Sequence, residues 1–183
     1  SGMMELRLAP FDAQRLIEET ANEINTLSQK EQVTLLCEIE CGHLQIHSDP
    51  LRIRQIIVNL LTNAYKYTES GTITLHSCLR RQPTGNSLII EVTDTGIGIE
   101  KEMLDQIFRP FTQLDQSHTR QYGGVGMGLA IVHGLVTLLN GTITVYSEIK
   151  KGSTFIVSIP VDISDDEEQG EKPRHHRSLR QNQ

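Results

Sequence analysis

A chain of 183 residues with 37% hydrophobic and 22% charged positions holds enough apolar material for one domain with its own core. Its formal charge of −6, from 17 basic and 23 acidic residues, argues against a nucleic-acid surface, because phosphate contacts need clustered Lys and Arg. No apolar run approaches the roughly 20 residues that span a bilayer, no signal-peptide pattern opens the chain, and three cysteines are too few and too odd for a disulfide framework, so a cytoplasmic setting is expected.

Met4 to Ala9 reads as a short strand closed by Pro10. Asp12 then caps a helix over 13–29 with Leu16, Ile17, Ala21, Ile24 and Leu27 on one face. Strand patterns follow near 33–39 and 43–47. Cys37, Cys41, His43 and His47 lie close enough in sequence to suggest four zinc ligands, but their spacing is not a standard finger pattern. The alternation Val33, Leu35, Cys37, Ile39 instead reads Cys37 as a small apolar residue on the inner face of a strand, with Gly42 as a turn.

Ser48 and Asp49 cap a helix with Pro50 in its first turn, running to about Tyr67. After a turn at 69–71, Thr72 to Leu79 alternates as a strand, and Pro83 to Asn86 turns into a second strand from Leu88 to Asp94. A short helix near 101–107, a polar stretch from Arg109 to Tyr122 and a glycine cluster at 123–128 precede a helix from about Met127 to Leu139. Strands near 142–148 and 153–160 close the pattern. Beyond it the acidic Asp165 to Glu168 and the basic Lys172, Arg174, Arg177 and Arg180 have almost nothing apolar between them, so 162–183 reads as a tail or linker. The mixed αβ order with adjacent hairpins predicts helices packed on one side of a mixed sheet.

Three elements carry chemistry. On the helix 50–67, at about 100° per residue, Arg52, Gln55, Asn59, Thr62, Asn63 and Lys66 share one face, opposite Ile53, Ile56, Ile57, Leu60, Leu61 and Ala64. A solvated face explains most charged stripes, but less well two asparagines in mid-helix, each costing roughly 0.5–0.7 kcal/mol against Ala. Amide oxygens suit Mg²⁺, and Lys66 lies where a phosphate could be met. In the second element, Asp94-Thr95-Gly96-Ile97-Gly98, the carboxylate ends the apolar row Leu88, Ile90, Val92. An acceptor there suits the exocyclic amine of adenine and rejects the oxygen of guanine. Taken alone, a plain Asp-Thr-Gly turn explains it as well. The third element, Gly123-Gly124-Val125-Gly126-Met127-Gly128-Leu129, leads into a helix and offers free N–H groups to an anion. It is neither a P-loop nor a Rossmann turn, and a glycine hinge is its simpler reading.

Together the three are far more specific. Asn59-Leu60-Leu61-Thr62-Asn63-Ala64-Tyr65-Lys66-Tyr67 resembles the N box of sensor histidine kinases, Asp94 to Gly98 their G1 box, Phe108-Arg109-Pro110-Phe111 their F box, and Gly124 to Leu129 their G2 box. The resemblance covers roughly residues 4–161 and is to the catalytic, ATP-binding domain, within the wider superfamily of gyrase, Hsp90, histidine kinases and MutL. It implies a Bergerat-type α/β two-layer sandwich, a mixed sheet packed on one face by about three helices. Residues 1–9 would then join a preceding dimerisation hairpin and supply the first strand, 10–161 would be the catalytic domain, and 162–183 could lead to a receiver domain, as in hybrid kinases.

The resemblance also implies roles. Asn59 would bind Mg²⁺ with Asn63 beside it, and Lys66 and Tyr67 would meet phosphate or ribose. Asp94 would read the adenine amine, helped through water by Thr154, with Gly96, Gly98 and Ile99 completing that wall. Phe108, Arg109, Gly124, Gly126, Met127, Gly128 and Leu129 would serve ATP from the lid, 109–123, and its hinge. Two features depart from the pattern. Thr112-Gln113 stands where many members carry a lid Arg or Lys, leaving Arg109 or Arg120 to substitute. Gln55 occupies the place of the glutamate that activates water in the hydrolysing relatives. None of the seven histidines has the surroundings of a phosphate acceptor. The expected activity is therefore transfer of the γ-phosphate of Mg²⁺·ATP to a histidine on a separate dimerisation domain, serving a receiver domain indirectly, with the fragment itself monomeric. An ATP-hydrolysing clamp and a degenerate nucleotide-binding interaction module are the alternatives.

Overall fold

The computed structural model describes residues 5–28, 30–109 and 128–164. They form a seven-stranded sheet covered on one face by three helices: β1 (Ala9–Asp12), α1 (Ala13–Ser28), β2 (Val33–Glu40), β3 (Gln45–Ser48), α2 (Pro50–Tyr67), β4 (Gly71–Gln82), β5 (Gly85–Asp94), α3 (Gly128–Leu138), β6 (Thr142–Glu148) and β7 (Gly152–Ser164), with a single 3₁₀ turn at Lys101–Met103. The strand order is β1-β3-β7-β5-β4-β2, with β6 also paired to β7. Only β2 and β4 run parallel; every other pair is antiparallel.

The inner faces of β4, β5 and β7 follow the period-two rule. Ile73 and Leu75, then Leu88, Ile90 and Val92, then Phe155, Val157 and Ile159 are all buried. Onto them α2 lays Ile53, Ile56, Ile57, Leu60, Leu61 and Ala64, the apolar stripe that its sequence predicts. Asp49, almost fully buried, starts that helix. One of its carboxylate oxygens accepts from the Arg52 N–H at 3.1 Å and the other from the Arg7 N–H at 2.8 Å. Asp12 caps α1 in the same way, accepting from the Arg15 N–H at 2.9 Å.

Four details differ from the sequence reading. The first strand begins at Ala9 and contains Pro10 rather than ending before it, because β1 is an edge strand whose outer side needs no donor. Leu27 is 69% exposed, because at about 100° per residue it falls at the margin of the stripe that buries Ile17, Ala21 and Ile24. Cys37 is exposed: β2 is the other edge, and only Val33 of its alternating row is fully buried. Finally β7 runs to Ser164, where residues 162–164, read as tail, pair with β3 through Ile46↔Ile163 and its neighbours. Residues 165–183 lie outside the described residues.

The remaining Cys and His side chains are spread apart. The Cys41 thiol faces the Ser77 hydroxyl at 3.4 Å, and His43 pairs with Asp12 at 2.8 Å. Among the described residues no three His, Cys, Asp or Glu side chains group to hold a metal. No helix among them is long and apolar enough to cross a membrane.

Candidate functional site

The end of β5 meets the C-terminus of α2. Asp94 completes the inward row of β5 and is buried. Burial pushes its carboxyl pKa up, while hydrogen bonds from the Gly96 and Ser153 backbone N–H groups pull the other way; the Gly96 bond is 2.8 Å. A carboxylate kept desolvated in this way interacts strongly with any donor that reaches it.

Glycines line this corner because no side chain fits. A Cβ on Gly96 would stand 2.3 Å from the Tyr67 carbonyl oxygen, and one on Gly152 would stand 1.8 Å from that of Asp94. Gly98, with φ +74°, lies against the Glu148 carbonyl. The Ile97 N–H donates to the Tyr67 carbonyl at 3.2 Å, so the turn after β5 is fastened to the last residue of α2. Thr95 ties the same turn to β4, its hydroxyl accepting from the Thr72 N–H at 2.9 Å.

From this corner the polar face of α2 leads away. Asn59, Asn63, Lys66 and Tyr67 are all half-buried along it, and the Lys66 ammonium lies 5.1 Å from the centre of the Tyr67 ring. Asn59 stands two turns before Tyr67, about 12 Å along the axis. Its Nδ2 donates to the Gln55 carbonyl at 2.8 Å, so that group is engaged and its Oδ1 remains as an acceptor. That oxygen lies 3.4 Å from where a Cβ would stand on Gly128, the first residue of α3. The described start of α3 is thereby brought against the middle of α2.

The whole stretch from Ser48 to Ile163 matches the family model described as histidine kinase-, DNA gyrase B- and HSP90-like ATPase. The chain belongs to this family. Within it, the chain is 39% identical over 163 residues to the autoinducer 2 sensor kinase/phosphatase LuxQ of Vibrio parahaemolyticus, covering 87% of this chain and 19% of that protein. The circadian input-output histidine kinase CikA of Synechococcus elongatus is 40% identical over 163 residues, covering 87% and 21%. The chain thus spans about a fifth of the length of these curated relatives. Among solved structures, full-length ShkA in complex with AMPPNP superposes with a TM-score of 0.76 at 28% identity, over 90% of this chain and 33% of that one. The catalytic domain of the histidine kinase ThkA gives 0.69 at 26% identity, over 86% and 96%.

In this histidine-kinase-type domain the sequence-predicted residues fall into three groups. Asp94, Gly96, Gly98 and the buried Ile99 form the corner described above, while Asn59, Asn63, Lys66 and Tyr67 line α2. Phe108 stacks at 5.6 Å on His133 of α3, Arg109 is exposed, and Leu129 is buried behind Gly128. Gly124, Gly126, Met127, Arg120 and the lid beyond Arg109 lie outside the described residues.

Thr154 requires a correction. It pairs with Thr93, and the two hydroxyls are 2.9 Å apart, so its side chain is on the opposite face of the sheet from Asp94. The residue in register with Asp94 is Ser153, which is buried and shares its face. Ser147 was also missed: its hydroxyl lies 2.8 Å from that of Ser153 and accepts from the Ile99 N–H at 2.8 Å.

Proposed function

We propose that this domain binds Mg²⁺·ATP along α2 and transfers the γ-phosphate to a histidine on a separate dimerisation domain. The observation that carries the reading is Asp94, a buried acceptor walled by glycines at one end of a polar helix face. Its carboxylate accepts from the exocyclic amine of adenine, and the same position would set lone pairs against the oxygen of guanine. Asn63, Lys66 and Tyr67 follow along the ribose and phosphates, and the start of α3 turns the positive end of its helix dipole toward phosphate oxygens opposite Asn59.

The donor at the phosphate end fits magnesium. The Oδ1 of Asn59 is a hard, neutral oxygen, while its Nδ2 is engaged with Gln55, and Mg²⁺ takes few protein ligands. When bound, the ion neutralises charge on the phosphate oxygens. The protein's own work is positioning, which by itself contributes much of the rate in reactions of this kind. Gln55 is a neutral amide near Asn59 and cannot take a proton from water near neutral pH, so hydrolysis stays slow and ATP waits for the acceptor. A receiver domain would then draw on the phosphohistidine. A reducing, cytoplasmic setting suits the three free thiols.

The test is calorimetry with ATP and GTP in the presence of magnesium, followed by radiolabelled ATP with and without a histidine-bearing hairpin domain from a kinase of this family. ATP should bind far more tightly than GTP. Asp94→Asn should lose roughly 1.5–3 kcal/mol of ATP binding, the worth of a charge-assisted hydrogen bond. Label should reach the hairpin and not this chain. Equal affinity for the two nucleotides, or fast phosphate release without an acceptor, would overturn the reading.

A further inference from the structure

A serine on β6 stands behind the Asp94 corner, and three contacts converge on its hydroxyl. The Ser147 Oγ lies 2.9 Å from the Gly152 carbonyl, 2.8 Å from the Ile99 N–H and 2.8 Å from the Ser153 Oγ. A hydroxyl has one proton and two lone pairs, so the roles can be assigned. A carbonyl only accepts, so the Ser147 proton goes to Gly152. A backbone N–H only donates, so Ile99 takes one Ser147 lone pair. The contact with Ser153 must then run from the Ser153 hydroxyl into the second lone pair.

The single proton of Ser153 is therefore directed away from Asp94. Ser153 stands opposite Asp94 in register, on the same face, and its backbone N–H also donates to the Asp94 carboxylate. Toward the base pocket its oxygen can only accept. The wall beside Asp94 is then acceptor beside acceptor. An exocyclic amine, with two hydrogens, satisfies both, whereas a carbonyl oxygen at that place meets lone pairs from both.

We propose that Ser147 is a positioning residue for base selection: it fixes the Ser153 hydroxyl as an acceptor beside Asp94 and so sharpens the choice of adenine over guanine. The proposal rests on the reading of Asp94 as the base-recognising group. With Ser147 removed, the Ser153 hydroxyl regains its rotation and can donate, either to Asp94 or to a guanine oxygen. Ser147 also joins the Ile99 loop to the β6–β7 turn at Gly152, so the same hydroxyl holds both sides of the corner together.

The experiment is displacement of a fluorescent ATP analogue by ATP, GTP and inorganic tripolyphosphate, on this chain and on Ser147→Ala, Ser147→Thr and Ser153→Ala. In Ser147→Ala the preference for ATP over GTP should shrink by about three- to tenfold, the worth of one net hydrogen bond, with tripolyphosphate unchanged. Ser147→Thr keeps a hydroxyl and should keep the preference. Ser153→Ala removes the acceptor and should relax selection to the same degree whether or not Ser147→Ala folds. Adding Ser147→Ala to it should then change nothing more. A parallel loss of ATP, GTP and tripolyphosphate binding would mean a merely structural role and overturn the proposal. So would an unchanged preference in Ser147→Ala, which leaves the function proposed above intact. If the unaltered chain fails to prefer ATP, both fall.

Discussion

Replacing Gly96 by alanine adds one methyl group where the chain has no room for it. The new Cβ would stand 2.3 Å from the Tyr67 carbonyl oxygen, 2.9 Å from its carbon and 2.8 Å from the Asp94 Oδ1. Ordinary carbon–oxygen contacts begin near about 3.3 Å, so the turn after β5 must withdraw by roughly 1 Å. The Tyr67 carbonyl belongs to the last turn of α2 and cannot retreat without unwinding it. Withdrawal first breaks the hydrogen bond from Ile97 to Tyr67, already 3.2 Å long. Overpacking costs about 1–3 kcal/mol and the lost bond about 1 more, a total near 2–4 kcal/mol. For a domain of this size that lowers the melting temperature by roughly 4–16 °C. Gly134 is the control: it lies within α3, and nothing stands within 4 Å of a Cβ there. Gly134→Ala should gain about 0.8–1 kcal/mol from helix propensity and melt some 2–4 °C higher. The chain has no tryptophan, so circular dichroism melts serve better than intrinsic fluorescence. Titration with ATP should show weakened binding for Gly96→Ala alone. A Gly96→Ala protein that melts and binds like the unaltered chain would refute the close approach of β5 to α2.

Asn59→Ala loses the hydrogen bond to Gln55 but gains helix propensity, so its stability should stay within about 1 kcal/mol. Its ATP binding should no longer differ between magnesium and chelator, and phosphotransfer should vanish; a retained magnesium effect in calorimetry would exclude Asn59 as the ligand. Hydrogen bonding and charge from Asp12 raise the pKa of His43. The stability this pair contributes is complete below the ordinary imidazole range and is lost as pH rises through the raised value. An NMR titration should show that elevated midpoint and its return toward the ordinary value in Asp12→Asn. Burial pushes the thiol pKa of both Cys37 and Cys41 up, but Cys37 is exposed and Cys41 buried, so mass spectrometry after brief alkylation should find Cys37 modified and Cys41 spared.

What could be read in the sequence was what local chemistry determines. The start of α2 was visible because Asp49 and Pro50, which suit a helix N-terminus, precede a long 3.6-period apolar stripe, and its two faces because that period separates isoleucines from asparagines. Asp94 was legible as the last member of an alternating row. Strand order was not legible, because pairing between distant segments leaves no local trace. The misplacements follow from that. Pro10, Cys37 and Leu27 were misread because nothing local says which strand is an edge or how wide a stripe of a helix its sheet covers. Ser153 was within reach: Phe155, Val157 and Ile159 continue its period to the buried face, whereas Thr154 belongs with the outward row. Ser147 had no such signal, since its three partners converge only after β6, β7 and the loop at Ile99 have assembled.

The position of β7 at the centre of the sheet bears on how this domain is made. The strand synthesised last among the described elements lies between β3 and β5 and also carries β6. While residues 9–151 leave the ribosome, β1 and β3 have no neighbour but each other, and the β4–β5 hairpin with β2 is a separate half-sheet. The two halves cannot join into one sheet until residues 152–164 are free to insert. Folding must therefore follow translation of this region rather than accompany it, with long-range pairing that is intrinsically slow. In the interval the exposed edges of both halves leave unpaired strands, a state suited to chaperone capture. Nascent chains stalled before and after β7 clears the exit tunnel should differ sharply in protease resistance.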